Sequence, residues 1–224
     1  DSFTFELSKV EEAANRERMV ANLRNVDEDL AFGIAAGLGM PALPKASAPA
    51  AEPVTSLEAS PALSILANGP ESFAGRKVGV LVSNGASADA VRTLTRALKA
   101  ESANIEIIAP TISGVTLDDG RVLPGDQMVG GGPSVLYDAV AVIVSADGAA
   151  QLAAVAPAKD FVSDAHAHCK FVGYTPEAEA LFAAAGVTEL DAGYRDLTKR
   201  GAAKKFVEGC RDLRYWDRTG VEPS

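Results

Sequence analysis

The 224 residues are 47% hydrophobic, enough for one core of about 150 residues and an appendage. The formal net charge of -9 makes a polyphosphate partner unfavourable and excludes a nucleic-acid binder. No apolar run is long enough to span a bilayer, so no membrane partner is expected.

The start, Asp1-Ser2-Phe3-Thr4-Phe5-Glu6, lacks both an initiator Met and a basic-then-apolar signal, and reads as the interior of a longer chain. Residues 1–40 are helical but thin in apolar content. Ser8 and Glu11 fit a capping box opening a helix from Lys9 to Leu23. Asn25 with Glu28 marks a second start, and Leu30, Ile34 and Leu38 form one apolar stripe. Gly37, Gly39 and Pro41 end it. Two short helices cannot hold a core alone and need a surface to cover. Residues 41–72 hold six of the 12 prolines, among Ala and Ser. They read as an extended linker, anchored at Leu63, Ile65 and Leu66, with Phe73 at the edge of the next domain.

From Gly75 the pattern alternates. Val78–Val82 is a strand buried on both faces, followed by the polar turn Asn84–Asp89. Ala90, Val91, Leu94, Ala97 and Leu98 then share one helical face. Asn104–Ala109 is a second strand. Gly114–Pro124 reads as a hairpin turning at Asp118-Asp119-Gly120. Asp126–Ser134 is a glycine-rich connection and Tyr137–Ser145 a third strand. Helices follow at Gly148–Val155 and Ala158–His168. Lys170–Tyr174 is another strand, Pro176 opens a helix, and Lys199–Cys210 is the last one. The sum is α/β: a flavodoxin-like, doubly wound sheet of roughly five parallel strands, preceded by two short helices and a long Pro-rich linker.

Chemistry is sparse. Asp164-Ala-His166-Ala-His168-Cys169 offers ligand types, but positions two apart on a helix diverge and only Asp164 and His168 share a face. A helix end, with His168 meeting the last carbonyls, is expected there, and no metal. Gly130-Gly131-Gly132-Pro133-Ser134 lacks the Gly-Lys-Ser/Thr end of a phosphate loop and is read as a turn that presents Ser134 as a cap. Cys169 and Cys210 read as buried apolar side chains in a reducing cytoplasm. The elbow after the strand at Lys170–Tyr174 holds Thr175, which has no evident base and is read as a helix cap.

Two resemblances run along the chain in order. Phe3-Thr4-Phe5-Glu6-Leu7, Glu17-Arg18-Met19-Val20-Ala21-Asn22-Leu23-Arg24-Asn25-Val26-Asp27 and Gly37-Leu38-Gly39 resemble the last helices of the haem catalase core. Phe73-Ala74-Gly75-Arg76-Lys77-Val78-Gly79-Val80-Leu81-Val82, Asp126-Gln127-Met128-Val129-Gly130-Gly131-Gly132-Pro133-Ser134 and His168-Cys169-Lys170-Phe171-Val172-Gly173-Tyr174 resemble the extra C-terminal domain of large-subunit catalases. The resemblance implies terminal core helices at 1–40, a linker at 41–72 and an amidotransferase-like domain of flavodoxin-like fold at 73–224. It implies a parent homotetramer that disproportionates hydrogen peroxide with haem, whose core and neighbouring subunits are this part's partners. No cofactor is expected in this chain itself.

Relatives in the class I glutamine amidotransferase-like superfamily place a Cys at the elbow and an acidic residue after the first strand. This sequence has Tyr174-Thr175 and Ser87-Ala88-Asp89-Ala90 instead. The expected site is therefore a vestigial pocket walled by Asn84, Gly85, Asp89, Tyr174 and Thr175, with no catalytic residue. The alternatives are an independent amidotransferase-like or deglycase-like enzyme, a small-molecule binder, or a chaperone-like folding module.

Overall fold

The computed structural model describes residues 2–54, 56–58, 60–64 and 67–219. They divide into two compact units, 1–60 and 61–224.

Among its described residues the first unit holds three helices rather than two: α1 (Ser2–Ser8), α2 (Ala13–Leu23) and α3 (Glu28–Gly37). Ser8 closes α1 instead of opening the next helix, its hydroxyl donating to the Phe5 carbonyl at 2.7 Å. Asp27, not Asn25, caps α3 by accepting from the Leu30 amide. The buried stripe is Ala31, Ile34 and Ala35, while Leu30 stays 38% exposed. Spacing of i, i+3, i+4 keeps a contact line on one face, and alanines let helices approach closely. Leu7, Val20 and Leu23 complete this small core. The proline-rich stretch has no regular structure at first but is pinned near its start. The Ser47 amide donates to the Ala21 carbonyl, Asn25 donates to the Ser47 carbonyl, and Arg24 donates to the Pro44 carbonyl.

In the second unit Leu63 lies in a single 3-10 turn, Pro61–Leu63, and is 84% exposed, so it anchors nothing. Ile65 and Leu66 lie outside the described residues. Phe73 is fully buried in the core rather than at its edge.

The sheet is built from β1 (Lys77–Val82), β2 (Asn104–Ala109), β5 (Gln127–Met128), β6 (Ala139–Ile143), β7 (Val172–Tyr174) and β8 (Tyr194–Asp196). Its order is β5-β2-β1-β6-β7-β8, and every pairing is parallel. Without the two-residue edge β5, that is the 2-1-3-4-5 order of the flavodoxin-like fold. Among the described residues the sheet has six strands where roughly five were expected: β5 lies inside the expected glycine-rich connection, and β8 lies where no strand was placed. β3 (Val115–Thr116) and β4 (Val122–Leu123) form the expected hairpin, with Gly120 at φ +85° in its turn.

The helices cover both faces. Val78, Val80 and Val82 of β1 turn toward α4 (Ala88–Ala100) and α8 (Ala202–Gly209), with Leu94, Leu98, Phe206 and Val207 between the layers. Leu81, Val140 and Val142 turn toward α5 (Ala146–Ala153), α6 (Ala156–Ala167) and α7 (Glu179–Ala184), with Phe161, Leu181 and Phe182 filling that side. Period-2 alternation in fully buried strands produces this two-sided core. Gly79 lies in mid-β1 because the Tyr137 ring crosses it; a Cβ there would come within 2.4 Å of the ring.

Candidate functional site

In a sheet of this order the crevice for a ligand opens beyond the strand ends where the order reverses, between β1 and β6. Here that position is filled. β1 runs into Ser83 and β6 into Val144-Ser145. The Ser145 amide donates to Ser83 Oγ at 3.0 Å, and Ser145 Oγ donates to the Asn84 carbonyl at 2.6 Å. Ser145 Oγ also accepts from the Gly148 amide, capping α5. A Cβ on Gly148 would fall 1.9 Å from Ser83 Oγ. The two strand ends are laced together by their own hydroxyls.

The turn after β1 is clamped from outside by the hairpin. Asn84 Oδ1 accepts from the Thr116 amide, and the Gly85 amide donates to the Thr116 carbonyl at 2.7 Å. Gly85 has φ +74°, a left-handed conformation that suits glycine. The Ala88 amide donates to Asp118, and Ser87 caps α4.

Thr175 follows β7 and is 1% exposed. Its hydroxyl donates to the Val144 carbonyl at 3.2 Å and accepts from the Val144 amide at 3.3 Å. It holds the N-cap position of the 3-10 turn Pro176–Ala178, as read from sequence, but its side chain makes no cap bond and has turned inward to complete the end of β6. A hydroxyl held by two main-chain groups and lacking a base is not an activated nucleophile. Tyr174 points to the other layer, edge-on to Phe182 at 5.6 Å and Tyr194 at 6.4 Å. Asp89 lies outside on α4 and pairs with Arg92. The structure thus brings Asn84 and Gly85 against Ser145, with Thr175 on the adjoining Val144. It carries Tyr174 and Asp89 away from them. Ser83 and Ser145 belong to this closure and were not singled out from sequence. Their signal was a Val-Ser pair ending each of the two most apolar strands.

The other candidates are used structurally. His166 Nδ1 lies 2.8 Å from the Tyr194 hydroxyl, and burial lowers the pKa of its imidazole. Asp164 and His168 are exposed, and the His168 amide donates to the Asp164 carbonyl as the helix ends. Among the described residues, no three His, Cys, Asp or Glu side chains are placed to hold a metal ion. Cys169 and Cys210 are both buried thiols. In the glycine loop, the Gly131 and Gly132 amides donate to the Met128 carbonyl, leaving no cradle of those amides for phosphate. Ser134 caps nothing, because Pro133 takes the cap position and the Ser134 hydroxyl is buried without a partner. Its carbonyl instead accepts from buried Lys170, which also reaches the Tyr137 carbonyl at 2.6 Å. Burial and the neighbouring Arg214 lower the Lys170 pKa to about 8.

Among known families, residues 74–220 match the C-terminal domain found in long catalases. "Catalase C" of Rhizobium meliloti (strain 1021) is 45% identical over 225 residues, covering all of this chain and 32% of that protein. "Catalase HPII" of Pseudomonas putida is 36% identical over 97% of this chain and 30% of its own length. "Catalase-2" of Bacillus subtilis (strain 168) is 33% identical over 97% of this chain and 31% of its own. The chain spans about a third of the length of the curated relatives it matches. With a flavodoxin-like sheet whose crevice is closed and a match over residues 74–220 of the second unit, the chain belongs to the family of C-terminal domains of long catalases.

Proposed function

We propose that this chain is the C-terminal part of a large haem catalase, contributing structure and assembly to an enzyme that disproportionates hydrogen peroxide. In this reading residues 1–40 end the catalase core, 41–72 cross a surface, and 73–224 dock on the core and on neighbouring subunits of a homotetramer in the cytoplasm. The observation that carries it is Thr175: where superfamily relatives expose a nucleophile, this chain has a 1% exposed hydroxyl bonded to the end of β6. That arrangement supports a structural role over an independent amidotransferase-like or deglycase-like enzyme.

Tyr137 and Tyr194 do not fit the role of a haem-iron ligand. The Tyr137 hydroxyl donates to Glu106, and the Tyr194 hydroxyl is engaged with His166. Burial raises the pKa of both phenols, so neither offers the phenolate that an iron ligand requires. No step of the peroxide chemistry is therefore assigned to these side chains. Purified chain incubated with haemin should show no Soret band and evolve no oxygen from peroxide. Stoichiometric haem binding lost on replacing one of these Tyr or His residues would overturn the reading.

A further inference from the structure

Helices α4 and α8 lie side by side on one face of the sheet, and a groove of about 770 Å³ runs between them. The loop 197–201, leaving the C-terminal end of β8, also lines it. That volume lies in the range of small-molecule pockets, which are apolar with a few placed polar groups. The floor is apolar: Ala97, Leu197, Ala203 and Val207 are buried or half-buried.

The rim is cationic in a chain of net charge -9. Arg96, Lys199, Arg200, Lys204 and Arg211 line the groove against Asp89, Glu101 and Glu208. Three of those cations are neutralised: Arg211 by Glu101 at 2.7 Å, Lys204 by Glu208 at 3.6 Å and Lys199 by Asp196 at 3.4 Å. Asp89 is taken by Arg92. Arg96, from the α4 wall, and Arg200, from the loop wall, make no ion pair or side-chain hydrogen bond among the described residues. α8 also begins without a side-chain cap and without an acidic residue in its first turn, which adds uncompensated positive potential to the same groove.

We propose that the α4–α8 groove binds a small amphipathic anion, with a short apolar body on the alanine-rich floor and one carboxylate or phosphate head between Arg96 and Arg200. A guanidinium pairs with either head in a bidentate manner, and the floor supplies the apolar contact. The site is separate from the closed crevice between β1 and β6 and stands independently of the catalase assignment.

Isothermal titration of the full chain with decanoate and with octyl phosphate tests it, with octanol and inorganic phosphate as probes of tail and head alone. One molecule of decanoate or octyl phosphate per chain is expected, each half-ligand binding at least tenfold more weakly. The preferred head distinguishes a fatty-acid-like from a phosphate-monoester ligand. The double variant Arg96→Glu/Arg200→Glu, at exposed positions, should bind at least tenfold more weakly with an unchanged unfolding midpoint. Ala100→Trp, at an exposed site on the groove wall, should block the groove to the same extent. The proposal is overturned if neither amphiphile binds at millimolar concentration or if the variants keep wild-type affinity. It is also overturned if inorganic phosphate or octanol binds as tightly as the whole amphiphile.

Discussion

Thr175 shows how one side chain can close a site. Its hydroxyl meets both main-chain groups of Val144, one residue before the Ser145 that bridges to Ser83 and Asn84. Thr175→Val keeps the volume but strands a buried amide, so it should lower the unfolding free energy by about 1–3 kcal/mol, whereas Thr175→Ser should retain most of the stability. Denaturant midpoints of the two variants check this; equal midpoints would mean that the hydroxyl contributes nothing. The vacancy of the elbow was legible in the sequence, because Tyr174-Thr175 stands where a Cys would be needed. The inward turn of Thr175 was not, since a Thr before Pro176 in sequence reads equally well as a cap. Ser134 misled for the same reason: propensity favours Ser at a helix start, but Pro133 reached that place first and the hydroxyl was buried.

At the scale of elements, the strongly periodic segments were legible and the short polar ones were not. β1, β2, β6 and α4 follow from apolar runs and a helical stripe; β2 has the expected bounds, and the ends of β1 and β6 differ by one or two residues. β5 and β8 have two and three residues, including Gln127, Arg195 and Asp196, and exist because a neighbouring strand offers its backbone. The ends of elements are tied by Glu101, just beyond α4. It accepts from the Phe73 amide at 3.0 Å and from Arg211 at 2.8 and 2.7 Å, joining the entry to the domain, α4 and the segment after α8. The Arg211 hydrogen bonds, then the Phe73 amide, hold its pKa at about 2. A folded pKa below the unfolded one means that the unfolded state takes up the proton first. The stabilisation is therefore complete above about pH 4.5 and is lost as pH falls toward about 2. Glu101→Gln should lose stability at pH 7 and show a shallower fall between pH 4.5 and 2. Parallel stability curves for variant and wild type would show that the clamp is unimportant.

At the scale of the molecule, two cores lie in one chain with a proline-rich stretch between them. The second core is large and two-sided, whereas the first is a three-helix packet with Phe5 63%, Val26 74% and Phe32 64% exposed. Exposed apolar side chains on so small a packet fit a surface that is covered in the proposed parent enzyme. Limited proteolysis should cut first between Ala48 and Pro70, beyond the bonds that pin Ser47, and leave a resistant fragment beginning near Phe73. A chain as resistant there as in β1 or β6 would contradict that division. The most direct test compares the proposed parent catalase with a version lacking residues 73–224, measuring turnover per haem and the denaturant midpoint of dissociation of the proposed tetramer. A structural and assembly domain predicts nearly equal turnover per haem with a clearly lower dissociation midpoint. A truncated tetramer as robust as the full one, or a collapse of turnover in an intact tetramer, would contradict it.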